Sequence, residues 1–200
     1  MITGGTAGLG VGIAKEVVRL GASKLWLVCR SQHRGEKLKA ELVASSAVSV
    51  EIVLAELSSM TEVHAAAQLI SSSAGPSGVD LIFLNAGVMP GAHATMTAEG
   101  IETALAVNVV SQHIMMRTLA PVLSPGARII VTGSDAGSFT KWTVDLTTVN
   151  GSASMGPIGF KQYARTKCLA HVRSACANPT AARSCCAAPQ DAIVHLIYRA

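Results

Sequence analysis

No apolar run in this chain reaches the roughly 18 to 20 uninterrupted residues that a membrane-spanning helix needs, although half of its 200 residues are hydrophobic. Runs such as Leu25-Trp26-Leu27-Val28-Cys29 are short. A secretory signal is missing too, because the first basic residue is Lys15 and Gly-Thr-Ala-Gly stands where an apolar stretch should begin. A cytoplasmic protein, or one attached to an organelle surface, is expected. Charge is sparse: the formal +4 is scattered, with no run of Lys or Arg and few aromatics to interleave, which leaves nucleic-acid binding without support. Of the five cysteines, Cys29 stands alone and Cys168, Cys176, Cys185 and Cys186 fall in the last fifth. An odd count with an adjacent pair argues against a disulfide framework. His171 and His195 lie near those cysteines, but no zinc-ligand spacing occurs, so no metal is expected.

What remains is a core-forming chain of single-domain size. Strand-like runs at Leu25 to Arg30, Val48 to Leu54, Asp80 to Leu84 and Arg128 to Thr132 alternate with segments of helical period. Helices are expected over Leu9 to Leu20, Arg34 to Ala44, Thr61 to Ser73, about Glu99 to Leu123, and from about Gly159 into the 170s. This alternation predicts an α/β fold, a doubly wound and mainly parallel sheet with helices on both faces. Ligands in such sheets sit beyond the carboxyl ends of the strands.

The first motif is Thr3-Gly4-Gly5-Thr6-Ala7-Gly8-Leu9-Gly10. A turn of this kind lets the backbone approach a pyrophosphate, and the helix starting near Leu9 would present free N–H groups to the anion. Its spacing differs from the general GxGxxG fingerprint. Further along come Asn85-Ala86-Gly87 at a strand end, Asn108 in a helical stretch, Ser134 after Ile129-Ile130-Val131-Thr132-Gly133, and Tyr163-Ala164-Arg165-Thr166-Lys167. Taken in this order, the motifs resemble the short-chain dehydrogenase/reductase family. They look closest to its retinol-dehydrogenase-like and protochlorophyllide-reductase-like members, in which Ser and Tyr are also widely separated. The resemblance covers residues 1–167 and implies a Rossmann-like NADP-binding domain.

Proton transfer explains the residue types. Hydride reduction of a carbonyl needs a proton donor at the developing alkoxide. Tyr163, with an ordinary pKa of about 10, is a poor base near neutrality. Lys167 lies one helical turn on, on the same face, where its charge favours the tyrosinate. Ser134 can donate to the substrate oxygen. The resemblance further implies that Lys167 binds the nicotinamide ribose and that Asn108 holds the water of a proton relay. Each residue has a plainer alternative: a surface Tyr/Lys pair, a turn or helix-cap serine, a helix irregularity at Asn108, and a strand-ending turn at Asn85-Ala86-Gly87.

Cofactor choice rests on the end of the second strand, where Arg30 and Ser31 stand and no acid follows at the position that would bind an NAD ribose. A guanidinium fork and a hydroxyl suit a 2′-phosphate, so NADP(H) is expected over NAD(H). Glu56-Leu57 stands where the resemblance implies Asp-Leu beside the adenine.

Both ends depart from the family pattern. Only Met1-Ile2-Thr3 precedes the glycine turn, and no Pro-Gly segment follows Lys167. An incomplete first strand, missing C-terminal elements and a loosened phosphate turn are therefore expected, with 168–200 a divergent or aberrant segment of the same domain and Ala192 to Tyr198 an edge strand by chance. The leading expectation is an oxidoreductase acting on a carbonyl or alcohol, lipophilic ones included. The alternatives are a catalytically dead nucleotide-binding protein, an unstable truncated product, and sugar-nucleotide epimerisation, for which the chain is short. Relatives often dimerise through the helices expected at Glu99 to Leu123 and after Gly159, so a homodimer is implied by resemblance alone.

Overall fold

A computed structural model describes residues 1–141, 145–150, 159–177 and 195–199, with side chains described up to residue 170. Six strands form one sheet: β1 (Ile2–Thr3), β2 (Lys24–Cys29), β3 (Ser49–Leu54), β4 (Val79–Leu84), β5 (Leu123–Thr132) and β6 (His195–Arg199), in the order β3-β2-β1-β4-β5-β6. The first five run parallel and β6 is antiparallel to β5. Although two residues long, β1 pairs on both sides, Ile2 lying opposite Leu27 and Phe83. The expected turn beyond it is closed at its start, since the Gly4 N–H donates to the Val28 carbonyl at 2.9 Å.

Parallel strands covered on both faces need near-continuous apolar sequence, and β2 supplies it. Trp26 and Val28 enter one core with Ile70 of α3 (Met60–Ser73) and Met115 and Leu119 of α5 (Ser111–Leu119). Leu25 and Leu27 point the opposite way, into a second core with Ala14 and Val18 of α1 (Leu9–Arg19) and Leu38 and Leu42 of α2 (Gln32–Ser45). Successive side chains of a strand alternate faces, so one apolar run serves two layers. Burial of each large side chain contributes about 1.5 to 3 kcal/mol.

Helix ends follow local chemistry. Ser31 and Ser59 cap α2 and α3, accepting from the Arg34 and Glu62 N–H groups at 3.3 Å. Gly21, at φ 93°, closes α1 by donating to the Val18 carbonyl.

Two expectations change in detail. The stretch from Glu99 to Leu123 is not one α-helix: α4 (Thr103–Leu105) passes into a π-turn (Ala106–Val110) before α5, and a 3₁₀ turn (Ala120–Val122) follows. The helical stretch starts late because Glu102 caps it. In turn, β5 begins before Arg128, since Leu123 already pairs with Val79 ahead of an irregularity that puts Arg128 opposite Leu81. The last helix, α6 (Gly159–Ala177), starts where its sequence predicts. Residues 192–194 of the expected edge strand lie outside the described residues, while His195–Arg199 form β6.

Candidate active site

The carboxyl ends of the parallel strands open on a cavity of about 1180 Å³. On the β2 and β3 side it is bordered by Arg30, Ser31 and Glu56, in the middle by Gly4 and Gly8, and on the β5 and α6 side by Ser134, Tyr163 and Lys167. Leu9, Leu57 and Asn85 to Gly87 also border it. Thr3, Gly10 and Asn108 do not, but each contacts residues that do: Asn85 and Ala86, Gly4, and Val88.

Gly8 ends the glycine turn at φ 50°, with open space where a Cβ would stand. No side chain caps α1 there and no acid occupies its first turn, so the positive end of its dipole is not offset from within the helix. Gly10 is required for closeness: a Cβ would lie 2.1 Å from the Gly4 carbonyl oxygen. Thr3 is buried, and its hydroxyl accepts from the Asn85 and Ala86 N–H groups at 3.0 and 3.1 Å. The Asn85 amide returns a bond to the Thr3 carbonyl at 3.2 Å. Thus the turn after β1 and the Asn85-Ala86-Gly87 segment after β4 are one hydrogen-bonded unit.

At the far corner, Arg30 Nη1 lies 3.3 Å from Glu56 Oε2. Burial works to raise the Glu56 carboxyl, but bonds from Ser58 and the Arg30 guanidinium outweigh it and hold the group below the usual carboxylate range. Arg34 also faces this corner. Sequence reading missed it, although Arg34 lies in the first turn of α2, three residues after the Ser31 cap.

Asn108 sits inside the π-turn and is buried. Its Oδ1 accepts from the Val88 N–H at 2.8 Å, and its Nδ2 donates to the Val88 carbonyl and to Thr166 Oγ1, both at 2.9 Å. All ordinary donors of this amide are therefore used in holding the segment after β4 against α6. Gln112, one turn on, donates to the Ala86 carbonyl at 3.0 Å. Neither Thr166 nor Gln112 carried a sequence signal beyond being polar within an apolar helix face.

Ser134 follows β5 and caps a 3₁₀ turn (Asp135–Thr140), its hydroxyl accepting from the Ala136 N–H at 3.2 Å. Tyr163 and Lys167 share one face of α6. Lys167 is 4% exposed, and its Nζ donates to the Thr132 carbonyl at 2.9 Å and lies 5.6 Å from the Tyr163 ring centre. Burial lowers its pKa from the usual 10.5 to about 8.

Fold and site together define a class: a doubly wound α/β domain with a glycine turn after β1 and Ser134, Tyr163 and Lys167 bordering one cavity beyond β5. This chain belongs to the short-chain dehydrogenase family, whose sequence pattern matches residues 1–189 and so runs past Lys167. It is 28% identical over 186 residues to the short chain dehydrogenase/reductase dmxR8 of Cryptosporiopsis sp. (strain 8999), covering 84% of this chain and 56% of that protein. Against dehydrogenase/reductase SDR family member 12 of Bos taurus it is 27% identical over 188 residues, covering 92% and 58%. A short-chain dehydrogenase from Sphingobium yanoikuyae, solved in complex with NADPH, superposes with a TM-score of 0.67 at 26% identity, covering 92% of this chain and 65% of that one. The chain spans about half the length of the curated relatives it matches. Among the described residues, no helix is long and apolar enough to cross a membrane.

Proposed function

We propose that the chain carries the nucleotide-binding and proton-transfer site of an NADP(H)-dependent oxidoreductase that interconverts a carbonyl and an alcohol. The observation that carries this reading is the buried Lys167, bonded to the Thr132 carbonyl and lying 5.6 Å from the Tyr163 ring centre, at the edge of a cavity reaching to Arg30.

The residues present fit a dinucleotide phosphate. Gly4, Gly8 and Leu9 would take the pyrophosphate at the uncapped end of α1, where a Cβ on Gly8 would meet open space. Arg30, Ser31 and Arg34 offer two guanidinium groups and a hydroxyl to a 2′-phosphate, with the Glu56 carboxylate offsetting one charge. Glu56 and Leu57 would flank the adenine, and Asn85 to Gly87 the nicotinamide ribose. NADP(H), when bound, supplies or accepts the hydride.

In the reductive direction Tyr163 gives its phenolic proton to the oxygen that becomes the alcohol. Lys167 stabilises the tyrosinate left behind, a charge effect strengthened by burial. Ser134 donates a hydrogen bond to the same substrate oxygen and holds it in line with Tyr163. Asn108 acts by fixing Val88 and Thr166, which keeps the floor of the nicotinamide pocket and α6 in register. Oxidation runs these transfers in reverse.

Titrating the full chain with NADPH and NADH, then following nicotinamide absorbance with a panel of ketones and aldehydes, tests the reading. The expected result is tighter NADPH than NADH binding and turnover that Tyr163→Phe reduces by about two orders of magnitude or more. Equal turnover by Tyr163→Phe, or a preference for NADH, overturns it. Thermal stabilisation by NADPH without turnover would instead assign the chain to non-catalytic nucleotide binding.

A further inference from the structure

Glu102 is fully buried, and among the described residues no cation forms a salt bridge with it. Its Oε1 accepts from the Ala104 N–H at 2.9 Å, and its Oε2 accepts from the Leu105 N–H at 2.8 Å and from Gln162 Nε2 at 2.9 Å. Capping a helix does not require a buried carboxylate: α2 and α3 are capped by serine hydroxyls near the surface. Placing an ionisable group among neutral donors is costly unless every lone pair is used. The third bond, to Gln162, is the one a cap does not explain.

Gln162 is the residue before Tyr163 and is itself buried. Its Nε2 also donates to the Val149 carbonyl at 2.9 Å. Both of these partners are acceptors, which fixes the amide's orientation and leaves Oε1 without a partner among the described residues. On its other side, the Glu102 N–H donates to Asn150 Oδ1 at 2.9 Å, and Asn150 Nδ2 donates to the Gly100 carbonyl at 3.0 Å. The carboxylate thereby joins the start of the helical stretch that bears Asn108 to α6 one residue ahead of Tyr163, and the turn over residues 145–150 is tied to both by the Glu102 N–H and by Gln162. That turn belongs to the long interval between Ser134 and Tyr163.

We infer that Glu102, acting through Gln162, is a positioning residue for Tyr163: it seats α6 against α4 and against the 145–150 turn. The inference rests on the proposed role of Tyr163. Glu102 does not border the cavity and touches no reacting atom. Its effect is on where the phenol stands, and small displacements of a proton donor cost large factors in rate.

The test uses the full chain with Glu102→Gln, Gln162→Leu and both together. Glu102→Gln puts an amide N–H where an acceptor is needed, whereas Gln162→Leu cuts the link while leaving the cap on α4 intact. Hydrogen exchange read by peptide is expected to quicken over 145–150 and 159–165 in both variants, with Ala104 and Leu105 affected only by Glu102→Gln. Carbonyl reduction should lose about tenfold or more in kcat in each single variant. NADPH affinity should stay within about threefold, and the double variant should lose less in kcat than the product of the two single losses, because both remove the same link. Exchange changes confined to 102–106, or an unchanged kcat in Gln162→Leu, overturn the inference. An unmodified chain that reduces no carbonyl removes the oxidoreductase reading instead, and the exchange pattern then decides by itself whether Glu102 couples the three segments.

Discussion

The Lys167 ammonium donates to the Thr132 carbonyl across 2.9 Å, so the cation carried by α6 is pinned to the last residue of β5. Burial lowers its pKa from 10.5 to about 8. Between those values the unfolded chain keeps a proton that the folded chain has released, so the unfolded state binds more protons there. The contribution of Lys167 to stability therefore rises with pH across that window and is lost as pH falls through about 8. Denaturant midpoints of the unmodified chain and of Lys167→Met, compared at about pH 7 and about pH 10, should show the unmodified chain gaining on the variant at high pH. A constant difference would contradict the assignment. Turnover should decline above about pH 8 as the cation is lost, and a pH–rate profile reads this directly.

The proposed function gives Ser134 a second task besides its cap, and one substitution should separate the two. Ser134→Ala removes the cap on the 3₁₀ turn, costing about 1 kcal/mol of stability. It also removes the proposed donor to the substrate oxygen, which should lower kcat by about two to three orders of magnitude. Thermal melts measure the first effect and steady-state kinetics the second. A rate loss no larger than the cap term would leave Ser134 a turn residue only.

The corner formed by Arg30, Arg34 and Glu56 is the proposed seat of the nucleotide 2′-phosphate. Arg30→Ala and Arg34→Ala should each weaken NADPH binding by about tenfold and leave NADH within about twofold. Glu56→Gln releases Arg30 from an exposed ion pair worth about 1 kcal/mol or less. It should tighten NADPH by up to about fivefold, with a gain that shrinks in salt. Fluorescence titration at two ionic strengths checks both arms.

Gly10 and Gly12 lie on the same helix and should respond in opposite ways. A Cβ at Gly10 would stand 2.1 Å from the Gly4 carbonyl oxygen, whereas at Gly12 nothing lies within 4 Å. Gly10→Ala should abolish NADPH binding and cost several kcal/mol. Gly12→Ala should raise stability by up to about 1 kcal/mol with binding unchanged. Calorimetric melts with and without NADPH distinguish them.

Much of this was legible in the sequence, for reasons particular residues make plain. The strand over Lys24–Cys29 announced itself because both faces are buried and every position after Lys24 had to be apolar. Tyr163 and Lys167 stood out by their spacing of one helical turn and Ser134 by its place in an order of motifs that resembles a known family, and the cavity borders all three. The early start of β5 was hidden because Pro125 and Gly126 interrupt the apolar run, while the chain absorbs them where the β4 pairing shifts. Glu102, Gln112 and Gln162 were invisible for a different reason. A buried polar residue looks like an exposed one until its partners are known, and those partners lie up to 60 positions away in the chain. Asn108 fell between: its identity pointed to the site, and its task of clasping Val88 and Thr166 emerges only from the contacts.

The π-turn around Asn108 amounts to one residue more than an α-helix needs for the same advance. Deleting a single residue between Ala106 and Val110 would let the backbone close into regular helix while α5 keeps its phase, so Met115 and Leu119 would stay in the core they now fill. The loss would be local, falling on the widened turn from which Asn108 reaches Val88 and Thr166. The helix thus carries a spare tooth that its packing does not call for and its grip on the segment after β4 does. A lineage could drop that residue and keep its fold, and what it would surrender is the clasp.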